Sequence, residues 1–174
     1  MSAGKFLSMV GAAVILCGSA SAQGPVSQGL VMQRVLSLGM AKTIAEATIS
    51  ECKSKGFHTA AVVVDRSGQV LVFLRDEQAA PQVGEMARRK AFTARMFRST
   101  TLEFQKRTIN DPTIAPQRDV ADILALGGGV PIQVANEIVG GVGSAGSSQE
   151  QDDACAKAGI AKVADLLKPE AGSR

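Results

Sequence analysis

The chain has no tryptophan, no tyrosine and a single histidine, His58, so its six phenylalanines are its only other aromatic rings. With no aromatic platforms set among arginines, unstacked bases have nothing to lie on. Charge does not fill the gap. Nineteen lysines and arginines face 16 acidic residues, a net charge of +3 over 174 residues. There is no basic tail, so nucleic acid is not an expected partner. The lone histidine also removes most catalytic constellations. A Ser-His-Asp triad would need His58 as its base, and no serine lies in the sharp strand-to-helix turn that exposes a nucleophile. No Cys-x-x-Cys pair or Cys/His spacing marks a metal cluster, and no paired-carboxylate motif stands out. Catalytic residues are therefore unassigned.

Long apolar runs are scarce too. The only marked one, residues 6–17, is about a dozen residues, short of the ~20 a membrane-crossing helix needs. Lys5 precedes it and Ala20-Ser21-Ala22 follows, which is the pattern of a signal peptide over residues 1–22 cut after Ala22. Leu16 before Cys17 is too large for lipid attachment at that cysteine. The expectation is a periplasmic or secreted protein, free of the membrane once cleaved, with one domain over residues 23–174. Three cysteines then become two, Cys52 and Cys155. In an oxidising compartment they are expected to form a disulfide, with two buried free thiols as the alternative. A bridge closing a loop of about 100 residues is worth up to ~4.7 kcal/mol in the chain-entropy view.

What is present is periodicity. Residues 31–55 carry apolar positions at helical spacing and end at Gly56, the usual place for a left-handed cap. Residues 59–65 and 69–75 read as a β-hairpin about Asp65-Arg66-Ser67-Gly68. Residues 82–99 form a second helix and 100–108 a short one. Residues 123–126 read as a possible short strand, 130–134 and 138–142 as another hairpin, and 149–167 as a closing helix. The expected fold is α+β: a profilin-like antiparallel sheet of about five strands, packed by helices, with long N- and C-terminal helices.

Four segments, taken in order, resemble one family. Ala61-Val-Val-Val-Asp-Arg-Ser-Gly68 is similar to its first hairpin. Ala87-Arg-Arg-Lys-Ala-Phe-Thr-Ala94 with Phe97 is similar to its central helix. Gly127-Gly-Gly-Val-Pro-Ile132 resembles the segment before the second hairpin. Val139-Gly-Gly-Val-Gly-Ser-Ala-Gly146 with Glu150-Gln-Asp152 resembles its closing signature. The likeness spans roughly residues 33–167 and is to the small haem-binding, haem-degrading-domain family of GlcG and HbpS. It implies haem as a cofactor and a homo-oligomer with ligand sites near subunit contacts.

Gly141-x-Gly-x-x-Gly146 also spells a dinucleotide fingerprint, but Glu150, Asp152 and Asp153 follow it, which would repel a pyrophosphate. These acids suit the positive end of a helix dipole. Lys90 and Thr93 lie three apart on the second helix and share a face. Either they border a ligand cleft, with Lys90 meeting a haem propionate, or Lys90 makes a structural ion pair, with Asp65 as a candidate partner. Phe97 is a candidate wall of such a slot and Arg75 a candidate at its mouth. His58 is a possible haem axial ligand, although at a loop–strand junction it also fits a plain solvated side chain. The leading reading is an exported, oligomeric binding protein for haem or a related planar anionic ligand. The alternatives are an enzyme acting on haem or on a small hydroxy or keto acid, and a non-catalytic sensory partner protein.

Overall fold

Helix α1 (Leu38–Ser54) starts where Ser37 stops it from running further back. The Ser37 backbone is extended, and its hydroxyl accepts a hydrogen bond from Met40 N. The helix is thus shorter than the expected 31–55. At its other end Gly56 takes φ +82°, while Gly56 N and Phe57 N donate to the carbonyls of Lys53 and Cys52. That is a Schellman closure, which needs a residue without a Cβ at Gly56. The structure, a computed structural model, describes residues 31–168 together with Met1 and Gly29. The expected signal peptide, Met1 apart, and the chain after Lys168 lie outside the described residues. All the elements given below belong to the unit that begins at Gln33.

Strands β1 (Ala60–Val64) and β2 (Val70–Arg75) form the expected hairpin. Asp65 Oδ1 accepts from Ser67 N and Gln69 N at 2.7 and 2.9 Å, and Gly68 takes φ +83° to close the turn. Next come α2 (Val83–Phe97) and α3 (Thr101–Asn110), then a short 3-10 turn (Ala115–Asp119). Thr100 and Glu103 make a reciprocal capping box at the start of α3. Strands β3 (Gly129–Val134) and β4 (Glu137–Ala145) form the second hairpin, and α4 (Gln149–Ala161) with a 3-10 turn (Ala164–Leu167) closes the chain.

The sheet has four strands, in the order β2-β1-β4-β3, all antiparallel. The expected fifth strand does not form among the described residues. Leu124 N is taken by the Thr93 hydroxyl at 2.8 Å and Leu126 N turns back to Leu124 O, so these backbone donors have no ladder to join. The closing helix is also shorter than expected, ending at Ala161.

β1 is buried on both faces, which accounts for its unbroken run of small and β-branched residues. Ala60, Val62 and Val64 meet Val83, Ala87 and Ala91 of α2, while Ala61 and Val63 meet Ile44 and Ala45 of α1 on the other side. α1 and α4 lie together on that second face. Cys52 and Cys155 join them as a disulfide with Cα atoms 5.6 Å apart, closing 103 residues.

α2 lies unusually close to the sheet, because the sheet positions beneath it are glycines. A Cβ at Gly141 would collide with Ala91 O, one at Gly143 with Ala87 O, and one at Gly129 with Lys90 O. Small residues on the helix, Ala87, Ala91 and Ala94, are fully buried in return. Gly143→Ala should therefore cost about 1–3 kcal/mol, the range for inserting a methyl group into a packed core. Urea unfolding of the two proteins measures this, and an unchanged midpoint would contradict the close contact.

Candidate functional site

Lys90 sits in the middle of α2, on the face that the glycines draw toward the sheet. Its side chain is 1% exposed. The ammonium donates to Asp152 Oδ2 at 2.8 Å and to Ser144 O at 3.0 Å. Desolvation holds the Lys90 pKa below that of an ordinary lysine, while Asp152 pulls it back up through charge and hydrogen bond. Asp152 is equally occupied. Its Oδ1 accepts from Ser147 N at 3.2 Å and Ser147 Oγ at 2.7 Å, with Ser144 Oγ at 3.4 Å. The Gly127-Gly128-Gly129 segment threads past this pair. Gly128 takes φ +118°, and a Cβ there would stand 3.0 Å from the Lys90 ammonium. Gln149 Oε1 and Thr101 Oγ1 hold the flanking amides of Gly127 and Gly129, each at 2.8 Å.

Of the two arrangements open for Lys90, the structure forms the ion pair, and the partner is Asp152 rather than Asp65. The central helix and the Glu150-Gln151-Asp152 segment, two of the stretches that carry the family likeness, thus meet at one buried contact. Asp152 is the residue the sequence reading missed. Its place in an acidic helix start reads as a dipole cap, and only the close approach of α2 reveals that it faces an amine.

The other expected site residues do not gather around Lys90. Thr93 is buried and bonds Arg89 O and Leu124 N, both at 2.8 Å, pinning the loop before β3. Phe97 stacks against Phe104 with ring centroids 4.2 Å apart, at the junction of α2 and α3. Arg75 donates to Ala79 O in the turn after β2. Asp65 organises the first hairpin turn. The glycines at 141 and 143 lie within β4 and face α2.

His58 stands apart, just before β1, and is held in place. Its Nδ1 lies 3.0 Å from Asp76 Oδ1, with the His58 side chain 37% exposed and the Asp76 side chain 1%. Asp76 is also bonded by Gln78 N at 2.9 Å and by the Lys53 ammonium at 2.9 Å. The bond from Gln78 and that from Lys53 lower the Asp76 pKa to about 2, with His58 adding to the effect. An ionised Asp76 accepts, so His58 Nδ1 donates to it, and in the neutral imidazole Nε2 is then the nitrogen left to act as an acceptor or ligand. Among the described residues no hydrogen bond is made to Nε2. Asp76 is the second residue that sequence reasoning missed. Eighteen positions of chain and a whole hairpin separate it from His58.

Beside this group, α1 and β2 border an open groove of about 490 Å³, with Ile49, Leu74 and Lys53 among its walls. No helix among the described residues is long and apolar enough to cross a membrane.

A family described as haem degrading protein HbpS-like matches residues 36–161. GlcG of Escherichia coli (strain K12) is 31% identical over 109 residues, which is 63% of this chain and 80% of that protein. Among solved structures, a double mutant of Streptomyces reticuli HbpS is 36% identical with a TM-score of 0.73, over 82% of this chain and 98% of that one. A PduOC:heme complex is 24% identical with a TM-score of 0.66, over 74% of this chain and 94% of that one. The last likeness shows the shared fold alone.

Asp76 gives a pH dependence of defined sign. Its folded pKa, about 2, lies below the ordinary 3.8. The stability it contributes is complete above the unfolded value and is lost as pH falls from about 4 toward 2. Asp76→Asn should flatten that part of the acid unfolding profile, followed by circular dichroism. An acid limb identical to that of the wild type would contradict the assignment.

Proposed function

Because the chain belongs to the HbpS-like family, we propose that it is an exported, oligomeric protein that binds haem or a related planar anionic tetrapyrrole, with His58 as the axial ligand. The observation that carries this is the carboxylate behind the imidazole. A histidine that bonds a buried carboxylate through Nδ1 presents a fixed and more basic Nε2, the usual second partner of a metal-ligating histidine. A solvated surface histidine has no need of such a partner, and Asp76 is costly to bury without one. The donor set therefore fits an iron porphyrin. Haem, when bound, supplies an iron centre able to take a neutral imidazole.

The chain's own residues would do the rest. Asp76 fixes the ring, Lys53 holds Asp76 from the other side, and Phe57, exposed next to His58, offers an apolar surface. In this reading Lys90 and Thr93 support the frame on which β1 and the loops sit, and do not touch the ligand. Export is supported by the Cys52–Cys155 disulfide, which persists in oxidising compartments. It is also supported by the leader pattern over residues 1–22. Oligomerisation is supported by edge strand β2, whose Val70 and Phe73 remain about half exposed.

Titration of the mature protein with haemin tests the reading. The wild type should give a saturable shift of the Soret band, and His58→Ala should weaken binding at least tenfold. A wild-type protein that leaves the haemin spectrum unchanged would overturn haem binding. Equal affinity in His58→Ala would overturn the ligand assignment.

A further inference from the structure

A second cavity opens at the far end of β1. It has a volume of about 480 Å³, and its walls include Leu36, Asp65, Arg66, Ser67, Leu71 and Arg95. His58 and Asp65 lie seven positions apart across β1, so the cavity is roughly 20 Å from the imidazole by strand rise. It shares no wall residue with the groove beside Lys53.

Its charges are unevenly paired. Glu137 is shared by Arg34 Nη1 at 3.3 Å and Arg66 Nη1 at 3.1 Å. Asp65 Oδ1 is committed to the amides of Ser67 and Gln69. Arg98 gives a guanidinium N–H to Asn136 O. Arg95 makes no ion pair with any described residue, and its Nε is buried with no hydrogen-bond partner. Among the cavity's own walls two guanidiniums, of Arg66 and Arg95, thus stand against one carboxylate, Asp65. Burial, and then repulsion from Arg66 and Arg98, disfavour the charged form of Arg95, with Asp65 the only opposing influence.

Arg95 lines the cavity with no ion-pair partner among the described residues, and a guanidinium keeps its charge under ordinary conditions, so an anion is the counter-group it lacks. The side chain stays near Gly141, whose missing Cβ leaves room for the Arg95 backbone and Cβ. Leu36 is buried and Leu71 half-buried among its walls, so the cavity joins apolar surface to the guanidiniums of Arg66 and Arg95 and the carboxylate of Asp65.

We propose that this cavity binds a small monocarboxylate with a short apolar body, its carboxylate on Arg95 and its hydrocarbon against Leu36 and Leu71. The planar fork of an arginine matches a carboxylate, which makes a charge-assisted pair there. The cavity is ample for a ligand of a few carbons. This assignment stands independently of haem at His58.

Isovalerate, titrated into the mature protein and followed by amide chemical shifts, tests it. Saturable shifts should centre on Ser67, Leu71 and Arg95, with a dissociation constant on the order of 1 mM. Isoamylamine, of the same shape and opposite charge, should cause none. Arg95→Gln should weaken isovalerate at least tenfold, while Lys106→Gln, an equal change of charge on exposed α3, should leave it within about twofold. Haemin should not displace isovalerate, and Arg95→Gln should leave the haemin titration unchanged. Absence of saturable shifts in the wild type, a shift map centred elsewhere, unaltered affinity in Arg95→Gln, or displacement by haemin would each overturn the proposal. The shift map needs only the wild type, so it decides the matter even if Arg95→Gln fails to fold.

Discussion

An ammonium placed where water cannot reach must find its counter-charge within the fold, and Lys90 finds it in Asp152. That requirement joins three elements distant in sequence. The amine leaves α2, passes the end of β4 where Ser144 O accepts a second bond, and ends on the first turns of α4. Removing either partner would strand a buried charge, which costs far more than the pair itself contributes. The Gly127-Gly128-Gly129 crossing follows from the same demand, since a side chain at Gly128 would press on the amine. Asp152 in turn orders the turn into α4 by accepting from both the amide and the hydroxyl of Ser147.

Two further devices hold α4 against the pair. The disulfide anchors Cys155 to Cys52 of α1, and the polar network reaches it: Gln151 Nε2 lies 3.3 Å from Cys155 Sγ, and Ser144 Oγ lies 3.8 Å from Cys52 Sγ. On the opposite face, glycines in β3 and β4 allow α2 to approach until backbone meets backbone. The result is a rigid centre with its polar groups paired. The two candidate ligand regions lie away from it, at the two ends of β1. At one end a buried carboxylate orients a histidine. At the other, a cavity gathers arginines faster than it gathers acids.

Much of the framework could be read from spacing. The β1–β2 hairpin, α2, the β3–β4 hairpin and the pairing of Cys52 with Cys155 all follow from periodicity, turn residues and cysteine count. What could not be read depends on approach distance. Residues 143–145 lie past the expected end of the second hairpin at 142, yet they continue β4, because glycine there serves α2 packing and not flexibility. Residues 123–126 look like a strand, yet their donors go to Thr93 and back into the turn. The start of α1 is decided by Ser37, whose hydroxyl competes with the apolar repeat that runs back to Val31.

The site residues divide in the same way. That Lys90 is unusual is plain from its place on an apolar stripe, but its partner is not, because Asp152 lies 62 positions away and has a sufficient local reason to exist as an acid at a helix start. Asp76 is likewise invisible from the environment of His58 in the chain. Arg95 reads as one of several arginines on a solvated helix face. Only the turn of the first hairpin, brought beside it by the sheet, shows that it makes no ion pair with any described residue.

The most direct measurement of the central claim is a double-mutant cycle on the buried pair, read from urea unfolding. Lys90→Met and Asp152→Leu should each cost about 3–5 kcal/mol, and the double variant should cost clearly less than either change alone. Additive losses in the double variant, or single changes without effect, would contradict the account.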